Sequence, residues 1–469
     1  MAVLLFISYL FLLTSAAAVV SSKKLVMMYP LSHSLSRNSE LLLFNTSLLL
    51  KSTSSRSAAR FNNKRQQQRR GAAAVALSPG SDYTMPLSLG GRVEVSVYMD
   101  TGSDIVWVPC SSGSNFTCIL CEGKTHLSAH HNLSATASPV SCQSRACSDV
   151  HSSIPTSDLC AMARCPLESI EMSECDDSCP AFYYAYGDGS FVARLYKDTL
   201  QMSSLIIIKN FTFGCAHEAL GEPVGVAGFG RGPLSLPAQL HHNQFSYCLT
   251  SHSFDSHHVR QPSPLILGRR FGNNSDLAYT PMLENIKRPY YYYVGLEAIT
   301  VGNKRIPAPE NMKRIDRQGD GGMVVDSGTT YTMLPPQLYN SVVSQFLNTF
   351  KRAASVEDRT GLSPCYYLPP KPNKVVIPQL VLHFVGNTSV AMPSRNYFYQ
   401  FTDHHHQNKA VGCMMLMNAG FFPDSDGPGP AGLLGNYQQQ GLEVVYDLLN
   451  KRIGFANRKC ASLWETLQH

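Results

Sequence analysis

At 469 residues the chain exceeds one ordinary domain and is long enough to bury two cores. With 44% hydrophobic and 15% charged residues it is globular, which excludes a disordered polymer. The formal charge of +6 is misleading: ten basic residues and one acid, Glu40, fall in positions 1–70, leaving 29 basic against 32 acidic residues, so charge gives no reason to expect nucleic-acid binding.

The first segment, positions 1–18, reads as a signal peptide. Val3 to Leu13 is apolar, small residues follow at Ser15 to Ala18, and Lys23 and Lys24 come next. The run is short for a membrane span, and no later stretch is apolar and long enough to be an anchor. Positions 19–78 show no strand rhythm and are rich in Ser, Gln and Arg. They read as a basic pro-segment, with seven basic residues and no acid between 51 and 70. The alternative for this stretch is a solvated linker.

Order is expected from Tyr83. Val93, Val95 and Val97 alternate with Glu94, Ser96 and Tyr98, the period-2 signature of a strand that runs into Asp100. A second strand is expected at Ile105 to Val108. Nine of the fourteen cysteines lie in 110–179, a loop-rich insertion in which disulfides stand in for a core. Because nine is odd, full pairing ties at least one of them to a cysteine outside the insertion. Cys118 and Cys121 read as a structural disulfide rather than a redox or zinc pair. Strands resume from Phe182 to about Leu249, and a Ser/His-rich connection, 252–264, begins near a lobe boundary at 250. Further strands are expected at Tyr290 to Val294 and Ile299 to Val301, and Met323 to Val325 runs into Asp326. A helix is expected after Pro335 and Pro336, where Leu338, Val342 and Phe346 recur four apart. Strands close the chain from Leu442 to Phe455.

The chemistry rests on Asp100-Thr101-Gly102-Ser103 and Asp326-Ser327-Gly328-Thr329, 226 residues apart and each between two apolar strands. One such tetrad could be an ordinary turn; two in the same context, one per half, point to a catalytic pair. The glycine permits a tight turn, and the hydroxyls and amides can orient the carboxylate. If the halves meet about a pseudo-dyad, the two carboxyls share a proton, one serving as base toward a water and the other as acid. This chemistry needs no metal and no cofactor.

Taken with Tyr184-Ala185-Tyr186-Gly187-Asp188-Gly189-Ser190, Trp107, Val226-Ala227-Gly228 and Leu433-Leu434-Gly435, these motifs make positions 80–460 resemble the pepsin-like aspartic proteases. The segments 230–236, 245–248 and 436–440, together with the cysteine-rich insertion, are similar to the plant nepenthesin-type branch. The resemblance implies an all-β, bilobal fold: an N-terminal lobe at 79–250 carrying the 110–179 insertion, a C-terminal lobe at 251–469, a pseudo-two-fold axis, and the active-site cleft between the lobes. It implies a flap bearing Tyr186, Gly187, Asp188, Gly189 and Ser190, with Trp107 hydrogen-bonded to Tyr186. Ser103 and Thr329 would hydrogen-bond the aspartates from outside, and Cys365 would pair with Cys413, which leaves Cys215, Cys248 or Cys460 as the insertion's outside partner. The activity implied is an aspartic endopeptidase, a peptide hydrolase made as a zymogen and best in acid.

The expected partners are an extended polypeptide substrate and the chain's own pro-segment as an intramolecular inhibitor, on a monomer with no nucleic acid and no membrane anchor. Export through the secretory pathway to the cell wall (apoplast), or alternatively to the vacuole, fits the leader, the cysteines and the sequons at Asn115, Asn132, Asn210, Asn273 and Asn387. The rival function is an inert pepsin-like binding protein or glycosidase inhibitor; loss of an aspartate or of the flap would favour it, and both Asp loops, Tyr186 and Trp107 are present. His404 to His406 read as a loop rather than a metal site. Tyr290 to Tyr293 read as a strand with one buried face, and Gly319 to Gly322 as the turn before the second Asp strand.

Overall fold

The computed structural model describes positions 27–33, 46–66, 82–91, 93–111, 116–119, 121, 131–151, 178–186, 189–203, 206–221, 224–254, 262–268, 276–346, 351–369, 375–404, 408–420 and 429–463. The architecture is mostly β, two lobes joined by a shared sheet. Among the described residues no helix is long and apolar enough to cross a membrane.

In the first half, Tyr83–Leu89 and Val93–Asp100 form an antiparallel pair. Gly90 and Gly91 turn the chain between them at φ 64° and 70°, a region costly for a residue with a Cβ. Val95 and Val97 are buried, Glu94 is exposed and Ser96 half-buried, an inside–outside alternation that ends at Tyr98, which is buried as well. The long strands Gly189–Gln201 and Ile207–Leu220 wrap this pair. In the second half, Leu296–Val301, Lys304–Pro307, Leu380–Phe384 and Thr388–Ala391 make a four-stranded sheet. Cys365–Tyr367, Phe398–Asp403 and Lys409–Met414 make a three-stranded one. The expected helix is Pro336–Val343; Leu338 and Val342 are buried on one face, with Phe346 just beyond its end.

A six-stranded antiparallel sheet joins the halves. Its order is Met27–His33, Ser263–Leu267, Gln244–Cys248, Leu442–Asp447, Arg452–Asn457 and Ala278–Leu283. Leu442–Asp447 and Ser263–Leu267 are buried along their whole length, which marks a sheet covered on both faces. Phe245 and Tyr446 stack across it at 4.5 Å. Cys248–Cys460 staples its end, and Cys110–Cys215 ties the insertion to the first lobe. Cys118–Cys121, Cys147–Cys179 and Cys365–Cys413 are also paired.

One expectation is corrected. Positions 19–78 were to lack regular structure, yet they contain the strand Met27–His33 and the 21-residue helix Thr46–Gln66. The helix leaves no apolar stripe in the sequence because what it buries is mostly polar: Thr53, Ser54, Arg56, Ser57, Arg60 and Lys64 are all buried. Apolar periodicity detects helices that pack on oil, and this one packs on carboxylates and backbone.

Candidate active site

Asp100 ends the strand Val93–Asp100, and Asp326 follows Met323–Val325. Each is flanked by a strand threading parallel beside it, Val226–Gly228 next to Tyr98 to Asp100 and Gly432–Leu434 next to Met323 to Val325. The apolar-apolar-Gly segments owe their glycines to this approach: a Cβ on Gly228 or Gly435 would strike the main chain of Ile105 or of Thr330.

The two loops interlock. Gly102 N–H donates to Asp100 Oδ1 at 2.7 Å, and Gly328 N–H to Asp326 Oδ1 at 2.9 Å. Thr101 N–H donates to Ser327 Oγ at 3.0 Å and Ser327 N–H to Thr101 Oγ1 at 2.9 Å. Their hydroxyls then donate across the axis, Thr101 to Val325 O at 3.2 Å and Ser327 to Met99 O at 3.0 Å. A Cβ on Gly102 would collide with the Asp326 carboxylate, and one on Gly328 with that of Asp100. This is a pseudo-two-fold arrangement, and it brings together two buried carboxyls, each of which shifts the other's pKa.

The outer partners are not symmetric. Thr329 Oγ1 donates to Asp326 Oδ2 at 2.6 Å. Ser103, expected to do the same for Asp100, instead has a buried hydroxyl with no hydrogen bond among the described residues. The β-branched threonine has few side-chain rotamers and is held on its carboxylate, whereas serine is free to turn away.

Above the dyad, Phe182–Tyr186 and Gly189–Gln201 form the flap hairpin. Trp107 Nε1 donates to Tyr186 Oη at 2.9 Å, and its ring stacks on Phe191 at 4.3 Å. Ser190 is buried beside the turn end of the hairpin, opposite Ala185; Gly187 and Asp188 lie outside the described residues. Tyr184 Oη donates at 3.1 Å to Asp104, a carboxyl beside the first loop that burial pushes up.

The helix Thr46–Gln66 lies in the cleft. Arg56, Arg60 and Lys64, four apart, form one face. Arg56 Nη1 is 2.7 Å from Asp82, Arg60 Nη1 3.8 Å from Asp100 Oδ2, and Lys64 Nζ 3.2 Å from Asp326 Oδ2. Arg60 also donates to Gly328 O, and Lys64 to Gly102 O at 3.3 Å. Lys64 sits over the Tyr291 ring at 4.9 Å. These cations divide the dyad. Burial and the neighbouring Asp326 raise Asp100 to about 6, so it holds a proton in acid below that value. At Asp326 burial is outweighed by the Lys64 charge and the Thr329 hydrogen bond, so it is ionised.

Sequence reading pointed to the basic segment 51–70 as a whole but not to Arg60 or Lys64 singly, and it gave 436–440 as a branch motif without a structural role for its glutamines. Gln439 Nε2 donates to Asp326 O at 3.2 Å and to Leu434 O at 2.8 Å, bracing the second loop. Asn436 Nδ2 donates to Ser327 O at 2.9 Å. Among the sequons, Asn132, Asn210 and Asn387 are exposed, the last two at φ 58° and 59°; Asn115 and Asn273 lie outside the described residues. His404 sits in a turn beside Asn408 at 2.8 Å, and His405 and His406 lie outside the described residues. Cys147, His151 and Cys179 cluster, but the two sulfurs are bonded to each other and offer no thiolate.

Two loops interlocked about a dyad under a flap define an aspartic-protease site on a bilobal β fold. Residues 83–269 and 291–457 match the family profiles described as xylanase inhibitor N-terminal and xylanase inhibitor C-terminal. A probable aspartyl protease of Arabidopsis thaliana is 53% identical over 435 residues, covering 84% of this chain and 85% of its own. Aspartic proteinase nepenthesin-1 of Nepenthes gracilis is 30% identical over 391 residues, covering 81% and 78%. In structure the chain is similar to the basic 7S globulin of soybean (TM-score 0.58, 21% identity, 82% and 95% covered). It is also similar to the aspartic proteinase of Irpex lacteus (TM-score 0.51, 16% identity, 81% and 95% covered). The chain belongs to the pepsin-like aspartic protease family of plants, in its nepenthesin-type branch.

Proposed function

We propose that the chain is the precursor of an aspartic endopeptidase that hydrolyses internal peptide bonds with an activated water. The observation that carries this reading is the intact pair: Asp100 and Asp326, each held by its own loop amide and by the other loop, under a flap whose Tyr186 is tied to Trp107. One ionised and one protonated carboxyl are what the reaction needs. The carboxylate takes a proton from water as the oxygen attacks the scissile carbonyl; the other carboxyl donates a hydrogen bond to the carbonyl oxygen, then its proton. Extended substrate would enter where the helix Thr46–Gln66 now lies, so that helix acts as an intramolecular inhibitor and the form described is a zymogen. The raised Asp100 supports an acid optimum: its proton is lost as pH rises through its own pKa, and activity falls with it.

The test is turnover of a denatured protein at acid pH by wild type, Asp100→Asn and Asp326→Asn after removal of the leader and pro-segment, with and without pepstatin. Wild type alone should turn over, and pepstatin should abolish it. Equal turnover in all three sinks the dyad assignment. No turnover by correctly folded wild type favours the rival, an inert binder, which the description of the matched profiles keeps in play. Export through the secretory pathway and glycosylation at exposed Asn132, Asn210 and Asn387 complete the proposal; a mass shift on enzymatic deglycosylation reads the latter.

A further inference from the structure

The pro-segment touches the body at a second place, away from the dyad. The strand Met27–His33 pairs with Ser263–Leu267 from Met27 to Leu31 and with Tyr83–Leu89 at Ser32 and His33. At its end His33, 2% exposed, stacks on His252, 7% exposed, with ring centroids 3.8 Å apart and planes at 27°. His252 belongs to the body, just after the interlobe strand Gln244–Cys248.

We propose that the stacked imidazoles of His33 and His252 form an acid-sensitive latch, which holds the leading strand of the pro-segment in place at neutral pH and releases it on acidification. This rests on the reading of positions 19–78 as a pro-segment, and it is separate from the cations at the dyad.

Two imidazoles stacked face to face in a buried site are compatible when both are neutral; protonating either puts a charge out of water, and protonating both puts like charges about a ring apart. Among the described residues, the groups set against them are aromatic rings, an amide and a neighbouring cation. Tyr83, from the adjoining strand, meets His33 edge-on at 5.0 Å. Tyr437 and Phe254 meet His252 edge-on at 5.6 and 5.1 Å. Gln440 Nε2 donates to His252 Nδ1 at 2.8 Å, a bond that needs that nitrogen unprotonated. Arg395 lines the same 470 Å³ cavity as His252 and adds positive charge. The carboxylate next to Tyr83, Asp82, is engaged by Arg56 at 2.7 Å. Accordingly burial lowers His33 from its ordinary 6.5 to about 3, and burial followed by the His33 charge lowers His252 well below 6.5.

The sign follows. A base whose docked pKa is depressed binds more protons when undocked, so docking is favoured above 6.5 and weakens as pH falls below it. Each imidazole that has to shed a proton weakens docking about tenfold per pH unit in that window. The Lys64–Asp326 contact is different, because a depressed carboxylate yields only below its ordinary 3.8. The latch therefore opens before the Lys64–Asp326 contact does.

The experiment follows amide hydrogen exchange of Met28 to Leu31 from pH 7.5 to 4, corrected for intrinsic rates, in the full-length Asp100→Asn chain, which does not process itself. Protection should drop about 100-fold or more between pH 6.5 and 4.5. His33→Phe and His252→Phe, which keep an aromatic ring without a titrating nitrogen, should each move that drop at least one pH unit lower, and each should slow conversion of the active precursor at pH 5. Strand protection that persists to pH 4, or the same profile in both variants, overturns the latch. If one variant fails to fold, the other reads the same shift. A precursor with no proteolytic activity at any pH overturns the protease reading, while the exchange profile still decides the latch.

Discussion

Lys64 Nζ and Asp326 Oδ2 lie 3.2 Å apart, both side chains buried, one from the helix Thr46–Gln66 and the other from the Asp loop of the second half. A buried pair costs most when one member is removed, about 3–5 kcal/mol, because the survivor is left charged out of water. Lys64→Ala should therefore undock the helix rather than leave it in place. At pH 7 the variant precursor should be cut within 46–66 by an added protease at least 100-fold faster than wild type. Lys64→Arg should restore most of the resistance.

The two outer positions should respond differently. Thr329→Ala removes a hydrogen bond to an ionised carboxylate, worth roughly 1.5–3 kcal/mol. Asp326 would then titrate higher, and the acid limb of the pH–rate profile should move up. Ser103→Ala, which removes a hydroxyl with no partner among the described residues, should leave that limb in place.

Gln439→Leu should loosen the second loop. The side chain spans Asp326 O, Leu434 O and Tyr247 Oη; leucine removes all three bonds, at about 0.5–1.5 kcal/mol each, although Leu434 O keeps the Asp326 N–H and Tyr247 keeps Tyr446. We expect a lower Tm and a fall in kcat larger than the change in KM, since misplacing Asp326 affects the reacting geometry more than substrate contact.

Asp104→Asn tests the carboxyl under the flap. Burial raises its pKa above 3.8, so its ionisation opposes folding as pH climbs through that range. The amide keeps an acceptor for Tyr184 and cannot ionise. The variant should have a higher Tm than wild type at pH 7 and the same Tm at pH 4; an equal difference at both values would contradict this.

How much of this was legible depended on what each residue faces. The alternation through Val95 and Val97 and the four-apart spacing of Leu338 and Val342 record burial against apolar neighbours, so they announce themselves. The catalytic loops were legible because they occur twice. The odd number of cysteines in 110–179 required a bond out of the insertion, and Cys110–Cys215 is such a bond. The helix Thr46–Gln66 was not legible. Arg56, Arg60 and Lys64 are indistinguishable from a solvated face until carboxylates from distant parts of the chain are set opposite them. The bracing by Gln439 is hidden for the same reason: its partners are main-chain oxygens, which leave no trace in composition. Ser103 and Thr329 occupy matching places in their motifs, and only the coordinates separate them.

The leading strand is also the outermost member of the interlobe sheet. Its departure on maturation would turn Ser263–Leu267, five residues buried along their whole length, into an edge with unpaired amides and carbonyls beside Leu265 and Leu267. Such an edge invites pairing with another chain. The maturation proposed above would thus carry a solubility hazard that the full chain does not have. A mature chain produced without positions 27–33 should aggregate more readily than one cut after folding, and supplying the peptide Met27–His33 in trans should reduce that tendency most at neutral pH.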